Sequence, residues 1–274
     1  MRSIQPRSRR IFLADLGKAA VGLAVFGACS TGADETTTTL ETSTSSAPPP
    51  SDPSTIPPTT VATQLPTTTE APPTTVAAPA AAWQRVALGN VSAYVVVRGG
   101  EATVIDTGNP GSEPVIGDTL RALGFEWDNV AHVILTHRHR DHVGSVDAVM
   151  TLAAASTAYA GAGDIPNIAA PREVVAVGDS DTVAGLDIIA TPGHTAGHIS
   201  VLDPELSLLI AGDSMIGDGG LPAGPSPRFT DDLILANASV VKMSEFQFDT
   251  VVFGHGDPVV GGATAAVKQL AAEL

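Results

Sequence analysis

Cysteine is almost absent: Cys29 is the only one in 274 residues. Everything downstream of it therefore lacks both a disulfide and a thiolate ligand for a metal. Basic side chains are scarce as well. From position 83 onward there are 9 Lys and Arg against 23 Asp and Glu, a formal charge of 9 − 23 = −14. That field repels a phosphate backbone, which argues against nucleic acid as a partner. The apolar stretch near the start, residues 19–28, falls short of the ~20 residues needed to cross a bilayer. No internal repeat is visible.

What is present falls into three zones. Residues 1–29 begin with MRSIQPRSRR and continue into IFLADLGKAAVGLAVFGAC. A charged start, a short apolar run and small residues predict an export signal. Ser8-Arg9-Arg10-Ile11-Phe12-Leu13 resembles a twin-arginine signal, whose pathway exports folded proteins, so metals would be acquired before export. Phe26-Gly27-Ala28-Cys29 resembles a lipoprotein cleavage box, although Phe26 replaces the usual Leu, Val or Ile. Acylation of Cys29 would tether the protein to a membrane surface without spanning it. The implied location is extracytoplasmic: secreted, or anchored to a bacterial cell envelope. Residues 30–82 are rich in Thr, Ser and Pro and nearly devoid of core-forming side chains. Nothing there offsets the entropy of ordering, so a disordered, partly stiffened linker is expected. Residues 83–274 form the globular part.

Within it, short apolar runs predict strands over 91–97, 102–105, 132–135, 183–190, 199–202, 207–211 and 250–253. Helical spacing covers 111–123, 143–152, 231–246 and 263–274. Four of the strands run directly into His or Asp. VILT leads to HRHRDH, DIIATPG to His194, LLIAG to Asp213 and VVFG to His255. Loops at strand ends are where a rigid sheet builds its sites. If those ends share one edge, the histidines and aspartates converge.

Histidine is concentrated accordingly. Three of the seven histidines fall within THRHRDH, residues 136–142. His137 and His139 are two apart and point the same way in an extended segment, so both reach one metal. Asp141 and His142 follow a turn and can face a second. Imidazole and carboxylate without thiolate suit Zn(2+), with Fe and Mn as alternatives. A dinuclear site of this type shares a bridging hydroxide and activates it near neutral pH, and Asp213 could bridge as well. A relic site kept for folding is the bland alternative. Seven convergent polar groups without metal would carry a desolvation cost, which weighs against it.

The order THRHRDH, TPGHTAGH, AGD, GHG resembles the metallo-β-lactamase superfamily over essentially all of residues 83–274. The resemblance implies an αββα sandwich, an α/β fold with the dimetal site at one edge of two sheets. It implies that His137, His139 and His194 bind one metal, that Asp141, His142 and His255 bind another, and that Asp213 bridges. Asp106, in Val104-Ile105-Asp106-Thr107-Gly108, matches an acidic family position that orients a ligand histidine. His198 is expected to be structural or substrate-side, His132 a satisfied core histidine and Asp257 a turn residue.

The branches of the superfamily separate on a few residues. β-Lactamases that use a cysteine ligand do not fit, and those built on histidines alone normally lack an acid at position 213. Glyoxalase II adds a helical domain, for which the 19 residues after His255 leave no room. Flavodiiron proteins carry Glu at the place of His139, and ribonuclease Z needs a basic surface. The expected function is a metal-dependent, dinuclear-zinc hydrolase of an ester, thioester, lactone or amide. A metal-bound hydroxide would attack the carbonyl, with Asp141 as proton shuttle. Two divalent ions with Asp141, Asp213 and a hydroxide sum to about +1, so a small anionic or carbonyl substrate is held despite the acidic exterior. Residues 217–227, with Met215, Ile216, Leu221 and Phe229, are expected to form an apolar pocket wall. Two other classes stay open. One is an iron persulfide dioxygenase-like oxidoreductase using His137, His194 and Asp213. The other is a metal-containing binding protein without turnover.

Overall fold

The computed structural model describes residues 81–274. The expected export signal with Cys29, and the expected linker up to residue 80, lie outside the described residues. Ala81 and Ala82, assigned to that linker from the sequence, are already paired in the first strand, against Arg98 and Val97.

Six strands form a first sheet in chain order: β1 (Ala81–Ala87), β2 (Ser92–Arg98), β3 (Glu101–Ile105), β4 (Val130–Leu135), β5 (Thr157–Gly161) and β6 (Val174–Val177). β1, β2 and β3 form an antiparallel meander, and β3 through β6 run parallel. The chain continues through β7 (Thr182–Val183), β8 (Leu186–Ala190), β9 (Ile199–Asp203), β10 (Leu208–Ile210), β11 (Ile216–Asp218), β12 (Leu221–Ala223), β13 (Thr250–Val252) and β14 (Val259–Val260). Of these, β11 and β12 make a separate hairpin, and the rest form a second sheet in the order β14-β13-β10-β9-β8-β7. The helices are α1 (Glu113–Ala122), α2 (Arg140–Val143), α3 (Val146–Leu152), α4 (Leu233–Met243) and α5 (Ala263–Glu273). None of the described helices is long and apolar enough to cross a membrane.

The strands read as continuous apolar runs because both sheets are covered on both faces. Period-two alternation divides each run between two cores. In β2, Ala93, Val95 and Val97 pack with Ile116 and Leu120 of α1 and with Val149 and Met150 of α3. Tyr94 and Val96 point the other way and meet Ile199, Val201, Leu208 and Ile210 of the second sheet. In that sheet Ile188 and Val252 face inward, while Leu209 and Val251 face Val240 and Met243 of α4 and Val267 of α5. The result is the four-layer αββα arrangement.

Several boundaries differ from the sequence reading, each for a local reason. The expected helix over 143–152 is two helices, and Asp141 and His142 lie in the first of them. The break at Gly144 lets the chain pack on residue 110: a Cβ there would lie 2.4 Å from Pro110 Cδ and 2.5 Å from the Arg140 carbonyl oxygen. The expected strand over 183–190 folds back at Ala184 and Gly185, whose φ values are +52° and +79°, to give the β7–β8 hairpin. The helix expected over 231–246 is α4, capped by Asp232, whose carboxylate accepts the Leu235 N–H at 3.0 Å. Its amphipathicity is incomplete, since Ile234 is 86% exposed. β1, β5, β6, β11, β12 and β14 were not anticipated. β5 reads TAYAG, where alanine gives no strand signature.

The direction of the strands settles the edge. β8 and β10 both run antiparallel to β9, and β13 runs parallel to β10. The loops that follow β8, β10 and β13 therefore leave one edge of their sheet, as do those that follow β3 and β4 in the other.

Candidate metal centre

β4 ends at Leu135, and the chain stays extended to His139 (φ −63°, ψ 144°) before α2 turns it. This brings His137 and His139 toward the centre together, and the turn brings in Asp141 and His142. Across the interface, the segments after β8, β10 and β13 supply His194, Asp213 and His255. All seven meet. The ligating atoms of His137, His139 and His194 lie within 4.8 Å of one another, as do those of His137, His142 and Asp213, and those of Asp141, His142 and His255.

Asp213 is at the middle. Its Oδ1 is 3.4 Å from His142 Nε2, and its Oδ2 is 3.3 Å from His255 Nε2, 3.5 Å from His194 Nε2 and 3.9 Å from His137 Nε2. Asp141 Oδ2 lies 3.3 Å from His255 Nε2. His139 Nδ1 and His194 Nε2 are 2.9 Å apart.

The donor set fits a metal. His137 Nε2, His142 Nε2 and Asp213 Oδ1 are buried with no hydrogen-bond partner. Orphaned polar atoms at that depth are costly and are found where an ion satisfies them. The other nitrogens of the rings are held from behind. His142 Nδ1 meets Asp106 Oδ2 at 2.8 Å, His137 Nδ1 meets Thr136 Oγ1 at 3.0 Å, and His255 Nδ1 donates to the Asn90 carbonyl at 2.6 Å. His194 Nδ1 lies 3.3 Å from Thr230 Oγ1. The Thr136 hydroxyl donates to Asp106 Oδ2 at 2.8 Å, so toward His137 it can only accept. His137 then carries its proton on Nδ1, and its bare Nε2 faces the centre.

Asp106 sits where the sequence placed it, behind His142. Its backbone is left-handed, φ +62°, which a non-glycine residue adopts at a cost. Its Oδ1 also accepts the Thr136 N–H at 2.8 Å. One carboxylate thus ties the ends of β3 and β4 to α2.

His198 has a structural role. Its Nε2 accepts the Asp213 N–H at 3.1 Å, so its proton must be on Nδ1, 2.8 Å from Thr191 Oγ1. Burial pushes it down to about 3, and it stays neutral. His132, half-buried, pairs with the Tyr159 hydroxyl at 3.3 Å, and the exposed Asp257 pairs with Arg85.

One residue escaped the sequence reading. Asp164 is fully buried and accepts the Arg138 N–H (2.9 Å), the Gly197 N–H (2.9 Å) and the Thr195 hydroxyl (2.5 Å). It clamps the segment carrying His137 and His139 to the one carrying His194. Its only sequence signal is an Asp after Gly161-Ala162-Gly163, a composition common to ordinary turns.

The protonation pattern is split. Burial pushes His137 well down and takes His194 to about 4, so both are neutral. Burial also opposes charge on His142, but Asp213 and Asp106 outweigh it and hold the imidazolium well above the usual range. Hydrogen bonds to Asp141 and Asp213 raise His255 to about 10. Burial pushes Asp213 up, yet His142 and His255 more than offset that and keep it ionised. Without an ion, protons on His142 and His255 balance the carboxylates.

A cavity of about 510 Å³ opens onto the centre, lined by His139, Arg140, Asp141, Asp213, Ile216 and Phe229, among others. Of the wall expected from the sequence, Ile216, Ser226 and Phe229 are in place. Met215 is instead fully buried in the core beneath, and Leu221 faces Leu270 on α5, away from the cavity.

A sequence model of the metallo-beta-lactamase superfamily matches residues 86–255. A metallo-beta-lactamase domain-containing protein 1 of Xenopus laevis is 30% identical over 179 residues, covering 61% of this chain and 71% of its own length. A hydroxyacylglutathione hydrolase of Cereibacter sphaeroides is 34% identical over 123 residues, 44% of this chain and 45% of that protein, so the match spans less than half its length. A metallo-beta-lactamase family protein from Thermus thermophilus shares the fold, with a TM-score of 0.57 at 21% identity over 71% of this chain and 78% of that one. The chain belongs to the metallo-beta-lactamase superfamily, and its His/Asp cluster is a metal-binding site.

Proposed function

We propose that this member of the metallo-beta-lactamase superfamily is a dinuclear zinc hydrolase that cleaves an ester, thioester, lactone or amide. The observation that carries this is the central place of Asp213, whose two oxygens face His142 on one side and His194 and His255 on the other. His137, His139 and His194 would hold one ion, Asp141, His142 and His255 the other, and Asp213 would be common to both. The donors are nitrogen and oxygen throughout, which suits zinc, and iron or manganese would accept the same set. A metal pair there would supply an activated water and a Lewis acid for the carbonyl.

The protein's own groups do the rest. Asp141 lines the cavity, so its carboxylate can accept a proton from the attacking water and deliver it to the leaving group. Ile216 and Phe229 form an apolar side that suits an acyl or cyclic portion of the substrate and excludes water there. The thioester class draws support from the hydroxyacylglutathione hydrolase relative. The convergence of Asp141, His142 and His255, which a single-iron site does not require, favours hydrolysis over persulfide oxidation. The basic start, apolar run and Cys29 support work outside the cytoplasm, with a lipid anchor on Cys29.

Elemental analysis, followed by turnover on ester, thioester, lactone and β-lactam panels, tests the reading. The expected result is about two zinc ions per chain and turnover in at least one class. One iron per chain with oxygen consumption on a persulfide would replace it.

A further inference from the structure

The described residues include seven arginines, and their partners divide them sharply. Arg85, Arg98, Arg121 and Arg138 each pair with at least one carboxylate. Arg172 donates to the carbonyls of Met150, Ala153 and Ser156. Arg140 and Arg228 have no acid within 4.0 Å, in a stretch with 23 acids against 9 bases. Arg140 lines the cavity, whereas Arg228 is one residue removed from it, over the ring of the lining residue Phe229 at 5.2 Å from its centroid.

Arg140 is the first residue of α2, between His139 and Asp141, so its backbone is set by the same segment that builds the centre. Arg138, two residues earlier, points away to Asp164 and Asp231. An exposed guanidinium with no internal acceptor, beside a cluster that attracts anions, presents a planar donor fork to whatever enters. An exposed Arg with no acid beside it is free to pair with an acceptor that enters the cavity.

Resting on the reading of this cavity as the hydrolytic site, we infer that Arg140 recognises a carboxylate on the substrate, separate from the carbonyl that is cleaved. The substrate class narrows to carboxylate-bearing esters, thioesters, lactones or amides. The apolar portion lies along Ile216 and Phe229 and the carboxylate on Arg140.

The test is binding to the zinc-loaded full chain, independent of turnover. Calorimetry would compare glutarate with pentanoate and adipate with hexanoate, pairs matched in length that differ by one carboxylate. The wild type is expected to favour at least one diacid by about tenfold, the scale of one charge-assisted contact. Arg140→Gln should bring each pair to within about twofold while leaving the monoacids unchanged, and Arg140→Lys should keep part of the preference. Equal binding of diacid and monoacid by the wild type would overturn the inference. So would a preference that survives in Arg140→Gln, or one lost only in Arg228→Gln. Absence of turnover with the Arg140-dependent preference intact would sink the hydrolase reading and leave this assignment standing.

Discussion

The Nε2 of His198 accepts the backbone N–H of Asp213 at 3.1 Å. A histidine four residues after one candidate ligand thus anchors another, across two loops of the second sheet. The arrangement depends on a neutral ring, which burial secures. His198→Ala leaves a buried N–H without a partner, at a cost of about 1–3 kcal/mol. The expected outcome is a lower midpoint in denaturant and metal affinity reduced about tenfold in chelator competition. Wild-type affinity in this variant would show that Asp213 needs no such anchor.

Asp106 combines a strained backbone with three hydrogen bonds. Asn tolerates φ +62° but presents only one acceptor oxygen, so Asp106→Asn removes the charge behind His142 with little backbone penalty. Metal affinity should fall about 10–100-fold. Asp106→Ala should add an unfolding cost of about 1–2 kcal/mol from the left-handed backbone alone. Equal stability of the two variants would mean the backbone is not under strain.

Asp164 holds the two histidine-bearing segments together through Arg138, Thr195 and Gly197. Its loss leaves the buried Gly197 N–H and the half-buried Arg138 N–H without an acceptor. Asp164→Ala is expected to cost about 2–4 kcal/mol in equilibrium unfolding of the metal-loaded protein. Thr195→Val, which removes one donor together with its need for an acceptor, should cost about 1 kcal/mol. A cost below that for Asp164→Ala would make it an ordinary turn residue.

In the proposed site, proton and metal compete for His142 and His255. In metal-free protein His142 stays protonated well above the usual histidine range, and His255 up to about 10. Uptake at pH 7 should therefore release about two protons, and affinity should climb as pH rises. Calorimetry in buffers of different ionisation enthalpy reads the number released. The metal-free fold shows the opposite trend. The raised His255 contributes stability fully below pH 6.5, and that contribution is lost as pH rises toward 10. Metal-free stability that grows over this interval would contradict the assignment.

The sequence alone determined the superfamily, the seven convergent side chains and Asp106. Those rest on the resemblance to the family, whose motifs are local: HxHxDH holds its register whatever surrounds it. The apolar runs were legible too, because a sheet buried on both faces needs them. The tertiary structure decided what depends on distant segments meeting. Asp164, far from every motif, became a clamp only when β5 placed it against residues 138 and 195–197. His198 acquired its role when the second sheet folded Asp213 beside it. Arg140 was one of two arginines in THRHRDH, and only packing sent Arg138 to its acids and left Arg140 facing the cavity. A hydrogen-bond partner is chosen by three-dimensional proximity, and a residue's type and neighbours in the chain do not carry that information.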